Sequence, residues 1–391
     1  PTYIGIGEKD YTIDEKKLYE IELPTELKEE GVREIGNMYG RKGIIYISNA
    51  GNVYYTGSLQ YSGIEGEDDI IKVVTKLPIS NIECIYDTGI DYGMTYPYLK
   101  GKDGKIYTIQ NPLSQLNKSL YDYTFKRILT NVKDLSNNGY RIVYVDNDNS
   151  LYVAGNDKSQ LGLGINDTSE QREFVKVEDI NIINKVEKAY VGSNIYILTS
   201  DKKLYATGSV GINGENAPGW TEHEMQINFV EILSDVEGFY TRVNRKIAYN
   251  QEKVWIWEGN TNWGQIYNTP YEIKLSDISD TLVNNIRDVV CNTENYVILT
   301  KDGKIWTKGN APGSGTGIKH TNFQQISQSS FDNKKIVKIV TSGYDRKAFI
   351  ALAEDGTLYG WGEDASILGL GITSTTAQNT PTLLPINNAK D

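Results

Sequence analysis

Short apolar stretches with the spacing of strands alternate with polar turns along the whole chain, and no helix of any length is needed to account for them. One arrangement recurs seven times: a turn, then a strand opening on an aliphatic-aromatic pair, and usually a glycine four residues after the aliphatic. The pairs are Val53-Tyr54, Ile106-Tyr107, Leu151-Tyr152, Leu204-Tyr205, Val254-Trp255, Ile305-Trp306 and Leu358-Tyr359, with first residues 53, 45, 53, 50, 51 and 53 positions apart. Self-similarity at one period means copies of one supersecondary unit, none able to bury its apolar face alone.

Each copy parses into the same strands. A first strand such as Val32-Arg33-Glu34-Ile35 or Ile336-Val337-Lys338-Ile339-Val340 is followed by a second, such as Ile195-Tyr196-Ile197-Leu198 or Tyr296-Val297-Ile298-Leu299. A tight turn leads into the aliphatic-aromatic strand. In three copies it is Asp103-Gly104, Asp302-Gly303 and Asp355-Gly356, the pair best suited to the positive φ angles of a two-residue hairpin. Phe174-Val175-Lys176-Val177 and Thr382-Leu383-Leu384 mark a fourth, outer strand after a long polar connection.

Seven units of four antiparallel strands predict an all-β fold, a seven-bladed β-propeller, in which radial closure protects the strand edges. The expected repeats are 31–80, 81–130, 131–182, 183–228, 229–285, 286–335 and 336–391, with residues 1–30 as a closing segment. In that scheme Leu18-Tyr19-Glu20-Ile21-Glu22-Leu23 supplies an outer strand to the blade carrying Leu358-Tyr359, and the ring is closed by both termini. The five aromatics Tyr54, Tyr152, Tyr205, Trp306 and Tyr359 are expected to be largely buried in equivalent places.

Leu358-Tyr359-Gly360-Trp361-Gly362 with Ile367-Leu368-Gly369-Leu370-Gly371, and Gly155-Asn156 with Gln160-Leu161-Gly162-Leu163-Gly164, resemble the repeat of the regulator of chromosome condensation family. Gly259-Asn260 with Asn262-Trp263-Gly264-Gln265-Ile266 carries the same likeness, which extends over roughly residues 31–386. WD40 repeats are shorter, and kelch repeats carry a double glycine absent here. The resemblance implies seven blades. It transfers a scaffold rather than a nucleotide-exchange activity: the family usually places a histidine before the second strand, yet the seventh copy reads Gly343-Tyr344-Asp345-Arg346-Lys347 and the chain has only His223 and His320.

Chemistry is sparse. With two histidines and no HxxxH or CxxC, neither a metal nor a cofactor is expected. Asp146-Asn147-Asp148-Asn149-Ser150 alternates oxygen ligands but has Leu151 where a calcium loop has its glycine, so a solvated turn is expected. Gly313-Ser314-Gly315-Thr316-Gly317-Ile318-Lys319 lacks the spacing of a phosphate loop and is expected to be a blade connection. The acidic run Glu65-Gly66-Glu67-Asp68-Asp69 reads as a solvated face, the sequons at Asn117 and Asn166 carry no weight, and Cys84 and Cys291 read as core thiols.

Composition then narrows the partners. A net charge of −11, from 51 acidic against 40 basic residues, disfavours nucleic acid, whose affinity depends on Lys and Arg releasing counterions. Nowhere do 18 apolar residues run together, so no membrane insertion is expected. The start at Pro1-Thr2 is read as an excised or processed segment of a bacterial protein, secreted or at the cell surface, with cytoplasm the other compartment.

Tyrosine stands out, 28 against 7 phenylalanines, and the aromatics outside the repeat position fall in connections where packing does not require them. Trp220, Trp263, Tyr61, Tyr121 and Tyr123 are therefore the expected contacts for another protein, with Tyr92, Tyr96, Tyr240 and Tyr344 as a second set assigned to the opposite face. The function expected is a non-enzymatic binding scaffold, inhibitor-like or toxin-associated by analogy with a bacterial β-lactamase inhibitor of this architecture. The alternatives are a lyase or glycosidase at the channel mouth and a structural module of a larger cell-surface protein.

Overall fold

The structure is a computed structural model that describes residues 22–38, 43–58, 70–77, 79–86, 98–108, 126–138, 140–192, 194–209, 225–242, 245–258, 269–341, 348–363, 368 and 377–385. It is a seven-bladed β-propeller of four-stranded antiparallel sheets with almost no helix. The first three blades comprise Val32–Met38, Gly43–Ser48, Val53–Ser58 and Ile70–Lys76; Ile82–Tyr86, Tyr98–Gly101, Lys105–Thr108 and Lys126–Thr130; and Val132–Asn137, Arg141–Asp146, Leu151–Gly155 and Gln171–Lys176. The fourth runs Val186–Val191, Ile195–Thr199, Leu204–Ser209 and Met225–Leu233; the fifth Gly238–Arg242, Arg245–Tyr249, Lys253–Glu258 and Tyr271–Lys274. The sixth holds Ile286–Cys291, Asn295–Thr300, Ile305–Gly309 and His320–Gln325, and the seventh Ile336–Thr341, Ala348–Ala353, Leu358–Gly362 and Gln378–Leu383. Two compact units divide the described chain, one ending at Val191 and the other beginning at Gly192.

Burial explains the sequence pattern. The second strands of the third and sixth blades are buried at every residue, so Ile142-Val143-Tyr144-Val145 and Tyr296-Val297-Ile298-Leu299 read as continuous apolar runs rather than alternations. Outer strands lie at the edge and alternate weakly, as in Gln171–Lys176. Between the sixth and seventh blades the core is aromatic: Phe349 stacks on Trp361 at 5.5 Å, and Phe331 meets Tyr359 edge-on at 5.5 Å.

The glycine four residues after the aliphatic has a steric cause. In the first, third, fourth, sixth and seventh blades the pairing of third and outer strands slips beside it, a bulge. At Gly309 φ is +141° and a Cβ would lie 2.2 Å from the Glu294 carbonyl; at Gly208, φ +125°, it would lie 2.5 Å from Asn194 Oδ1. No other residue fits there.

Three expectations are corrected. The outer edge of the blade carrying Leu358 is filled by Gln378–Leu383, paired Tyr359 to Leu383, so that sheet draws its four strands from residues 336–383. Of the segment Leu18–Leu23, Glu22 and Leu23 are not in a strand, and residues 18–21 lie outside the described residues. The fourth repeat does not end at 228: its outer strand runs through to Leu233, because Tyr205 pairs with Glu231 and Leu204 with Leu233. Tyr54, Tyr205, Trp306 and Tyr359 are buried, whereas Tyr152 is only half-buried, its ring stacked on Tyr144 at 4.6 Å.

Candidate functional site

Antiparallel pairing gives each blade two ends. Hairpins between second and third strands, and the connections from one blade to the next, gather at one; the turns after the first strand and the connections into the outer strand gather at the other.

The hairpin end is tied by a repeated device. Each first strand is entered through a residue of positive φ: Gly31, Asn81, Asn131, Asn184, Asp235, Asn284 and Asn333. Asparagine and aspartate tolerate this conformation better than other residues with a side chain. The turn lets the next blade hydrogen-bond to the hairpin before it. Ile82 N–H donates to the Gly51 carbonyl (3.0 Å), Val186 to Asn149 (3.0 Å), Val236 to Lys202 (2.8 Å), Asn284 to Gln251 (2.8 Å) and Ile336 to Gly303 (3.2 Å). The Asp-Gly hairpins have the expected positive φ at Gly104, Gly303 and Gly356, and Asn149 and Lys202 take that place where no glycine stands. In the third blade, Asp146 Oδ1 accepts from Asp148 N–H (2.9 Å) and Ser150 N–H (2.8 Å), which closes the turn.

The repeated tyrosine belongs to this end too. Its hydroxyl donates to a carboxylate in four blades: Tyr54 to Glu30 (3.4 Å), Tyr107 to Asp103 (3.0 Å), Tyr205 to Glu231 (3.4 Å) and Tyr359 to Asp332 (2.8 Å). Burial, and then the charge of Glu30, push the Tyr54 hydroxyl up to about 12. These tyrosines are packing and anchoring groups.

At the loop end the first-strand turns of the third and sixth blades are built alike. Asn138 Oδ1 accepts from Tyr140 and Arg141 N–H, and Asn292 Oδ1 from Glu294 and Asn295 N–H, at 2.9 to 3.1 Å. At the start of the second strand stand the buried or half-buried Arg141, Asn194, Arg245 and Asn295. The Arg245 guanidinium lies 5.0 Å from the Tyr296 ring centroid. In the third blade's outer connection, Asp157 caps the turn Lys158–Gln160 through Ser159 N–H, and Lys158 Nζ reaches Asp167 at 3.2 Å. Hydrogen bonds from the Ser169 hydroxyl and N–H, then Lys158, hold the Asp167 carboxyl at about 2. In the sixth, Ser314 Oγ donates to the Ile318 carbonyl (2.6 Å) and Thr316 Oγ1 lies 2.5 Å from His320 Nε2, so Gly313 to Lys319 is a self-bonded blade connection.

Trp220, Trp263, Tyr61, Tyr121 and Tyr123 all lie outside the described residues, as do Tyr92, Tyr96 and Tyr344. Their flanks are described. In the second blade Tyr86 pairs with Tyr98, Tyr98 with Thr108 and Thr108 with Lys126. Tyr240 is half-buried in the first strand of the fifth blade, packed against the cores of the sixth and seventh, and is not free for a partner.

Three loop-end residues that sequence reasoning passed over are exposed: Tyr140 (52%) and Ile165 (42%) in the third blade and Ile318 (62%) in the sixth. The signal was an apolar residue in a glycine-rich connection outside any strand period. Cys291 is buried and Cys84 half-buried, neither in a disulfide, and among the described residues no three metal-ligating side chains converge. Among them also, no helix is long and apolar enough to cross a membrane.

The propeller is similar in sequence to curated RCC1-like proteins over part of its length, and similar in fold to solved propellers of that kind. The RCC1-like G exchanging factor-like protein of Mus musculus is 24% identical over 157 residues, 40% of this chain and 32% of that protein. The match thus spans about a third of the curated relative. Prp20p of Saccharomyces cerevisiae, a structure described with its binding properties to Gsp1p and histones, superposes with a TM-score of 0.56 at 15% identity, covering 98% of this chain and 83% of that one. Human WBSCR16 gives 0.53 at 15%, covering 92% and 83%. No protein-family model matches the chain.

Proposed function

We propose that this chain is a non-enzymatic protein-binding propeller whose loop end receives the partner. The observation that carries the reading is the exposure of Tyr140 and Ile165 in two loop-end connections of the third blade, while the repeated aromatics Tyr54, Tyr205, Trp306 and Tyr359 are buried in packing. Exposed aromatic and aliphatic groups on a rigid frame supply contact area at little entropic cost. The binding of Gsp1p and histones by Prp20p supports the general role and not the partner. An inhibitor-like or toxin-associated recognition domain, secreted or held at a bacterial surface, is the form of the reading that suits an acidic chain with few cysteines.

The test is affinity capture on the full 391-residue chain, comparing wild type with Trp220→Ala, Trp263→Ala and the double variant Tyr140→Ser/Ile165→Ser. A specific partner should lose about tenfold or more in affinity in at least one variant, roughly the 1.4 kcal/mol or more of an interface anchor, with no change in melting temperature. Equal capture by all of them would overturn the loop-end reading.

A further inference from the structure

The repeated tyrosine of the third blade is set apart from its counterparts. Tyr54, Tyr205 and Tyr359 are buried, whereas Tyr152 is half-buried and stands directly opposite a second tyrosine, Tyr144, in the pairing of Arg141–Asp146 with Leu151–Gly155. Opposite positions send both side chains from the same face of the sheet. The two rings are parallel to within 1°, with centroids 4.6 Å apart. Parallel rings standing side by side bring like parts together, so the carbons next to one hydroxyl face those next to the other.

The pair has one open member and one held member. Tyr144 is buried, and Phe174 meets it edge-on at 5.1 Å, so an oxidant gains access through Tyr152. The Asp146 carboxylate stands beside the Tyr152 hydroxyl; burial, and then Asp146, raise that phenol above the ordinary tyrosine value. Asp146 is thus placed to take the hydroxyl proton when an electron leaves the ring.

We propose that Tyr144 and Tyr152 are an oxidative cross-linking site, joined as dityrosine by a one-electron oxidant such as the ferryl haem of a peroxidase supplied with hydrogen peroxide. Each phenol loses one electron and its hydroxyl proton. The two phenoxyl radicals then couple through a bond between the ring carbons next to the oxygens, and the proton on each of those carbons moves to its own oxygen. Two tyrosines and one hydrogen peroxide give one dityrosine and two waters. The bond ties the second strand of the blade to the third, in a chain whose two cysteines form no disulfide. It lies on a sheet face away from the loop-end surface, so either reading can fail while the other stands.

The first blade supplies an internal control. Tyr46 and Tyr54 are opposite in the same way, but both are buried. The experiment oxidises the full chain with tris(bipyridine)ruthenium, persulfate and visible light, which removes the same electrons in buffer and in urea, and digests it with a protease that cuts before aspartate. Cleavage at Asp146 and Asp148 separates the two tyrosines, so tandem mass spectrometry reads the bond as two peptides joined with the loss of two hydrogens. That product is expected from the folded monomer, absent in Tyr144→Phe and in Tyr152→Phe, and about tenfold or more scarcer in urea, where the rings are no longer held together. Tyr46 and Tyr54 should stay unlinked. Absence of the Tyr144–Tyr152 product, or the same yield in urea, would overturn the proposal. So would equal linkage of Tyr46 to Tyr54, which would show that neither access nor geometry governs the reaction.

Discussion

The hairpin of the sixth blade turns within residues 301–304, while its connection into the outer strand takes residues 310–319, and in the third blade that connection takes residues 156–170. The short end repeats its chemistry from blade to blade: a positive-φ residue before each first strand, a backbone bond back to the preceding hairpin, a tyrosine hydroxyl on a carboxylate. The long end repeats its footing, the bulge glycine and the asparagine turn, and above that footing the described connections of the third and sixth blades differ. Contacts made between neighbouring copies must recur in every copy. Contacts with a partner need not, so variation collects where blades do not hold one another.

The comparison is broken most directly at Tyr359, buried against Phe331 and bonded to Asp332. Tyr359→Ala should cost about 3 kcal/mol or more, read as a fall in denaturation midpoint at unchanged slope. A wild-type midpoint would show that the hairpin end does not carry stability. Gly309→Ala asks the same of the loop-end footing. The clash with the Glu294 carbonyl should destabilise by about 2 kcal/mol or more, whereas Gly104→Ala, where a Cβ meets nothing within 4 Å, should cost only the strain of positive φ, about 1 kcal/mol.

Tyr140→Ser and Ile318→Ser should each leave stability within about 0.5 kcal/mol, as for exposed positions. A larger loss in thermal melting would mean that these residues serve packing rather than a partner. The smallest effect sharpens the contrast through pH. Asp355, at the hairpin end, is lowered from 3.8 to about 2 by hydrogen bonds from Thr357 and Lys334, and Asp167 at the loop end is lowered to about 2 chiefly by Ser169. A carboxyl lowered on folding contributes stability that is present above its unfolded value and is lost as pH falls through the folded one. Asp355→Asn and Asp167→Asn should therefore each flatten the decline in melting temperature between pH 4 and about 2, slightly and equally, since both carboxylates are at the surface. A dependence confined to one end would show that the other ion pair is not formed in solution.

The bulge glycine, the Asp-Gly hairpins and the aliphatic-aromatic pairs were legible because each answers a local demand: a turn of fixed φ or a strand face of fixed spacing. The asparagines before the first strands were equally visible as residues, yet their meaning needed the hydrogen bonds they permit to a hairpin about thirty residues earlier, as between Ile82 and Gly51. The edge beside Leu358 could not be assigned from pattern, because the amino-terminal segment and Gln378–Leu383 both read as outer strands and only pairing distinguishes them.

The seven-fold period, the four-strand unit and hence the propeller were determined by the sequence alone, since a repeated local pattern leaves one way to bury a repeated apolar face. Tertiary structure decided what surrounds each repeated position. A connection between blades sets Leu275 and Leu282 in one cluster with Trp306, and strand pairing gives the edge beside Leu358 to Gln378–Leu383. Those are distances between residues far apart in the chain, and a local pattern holds no record of them.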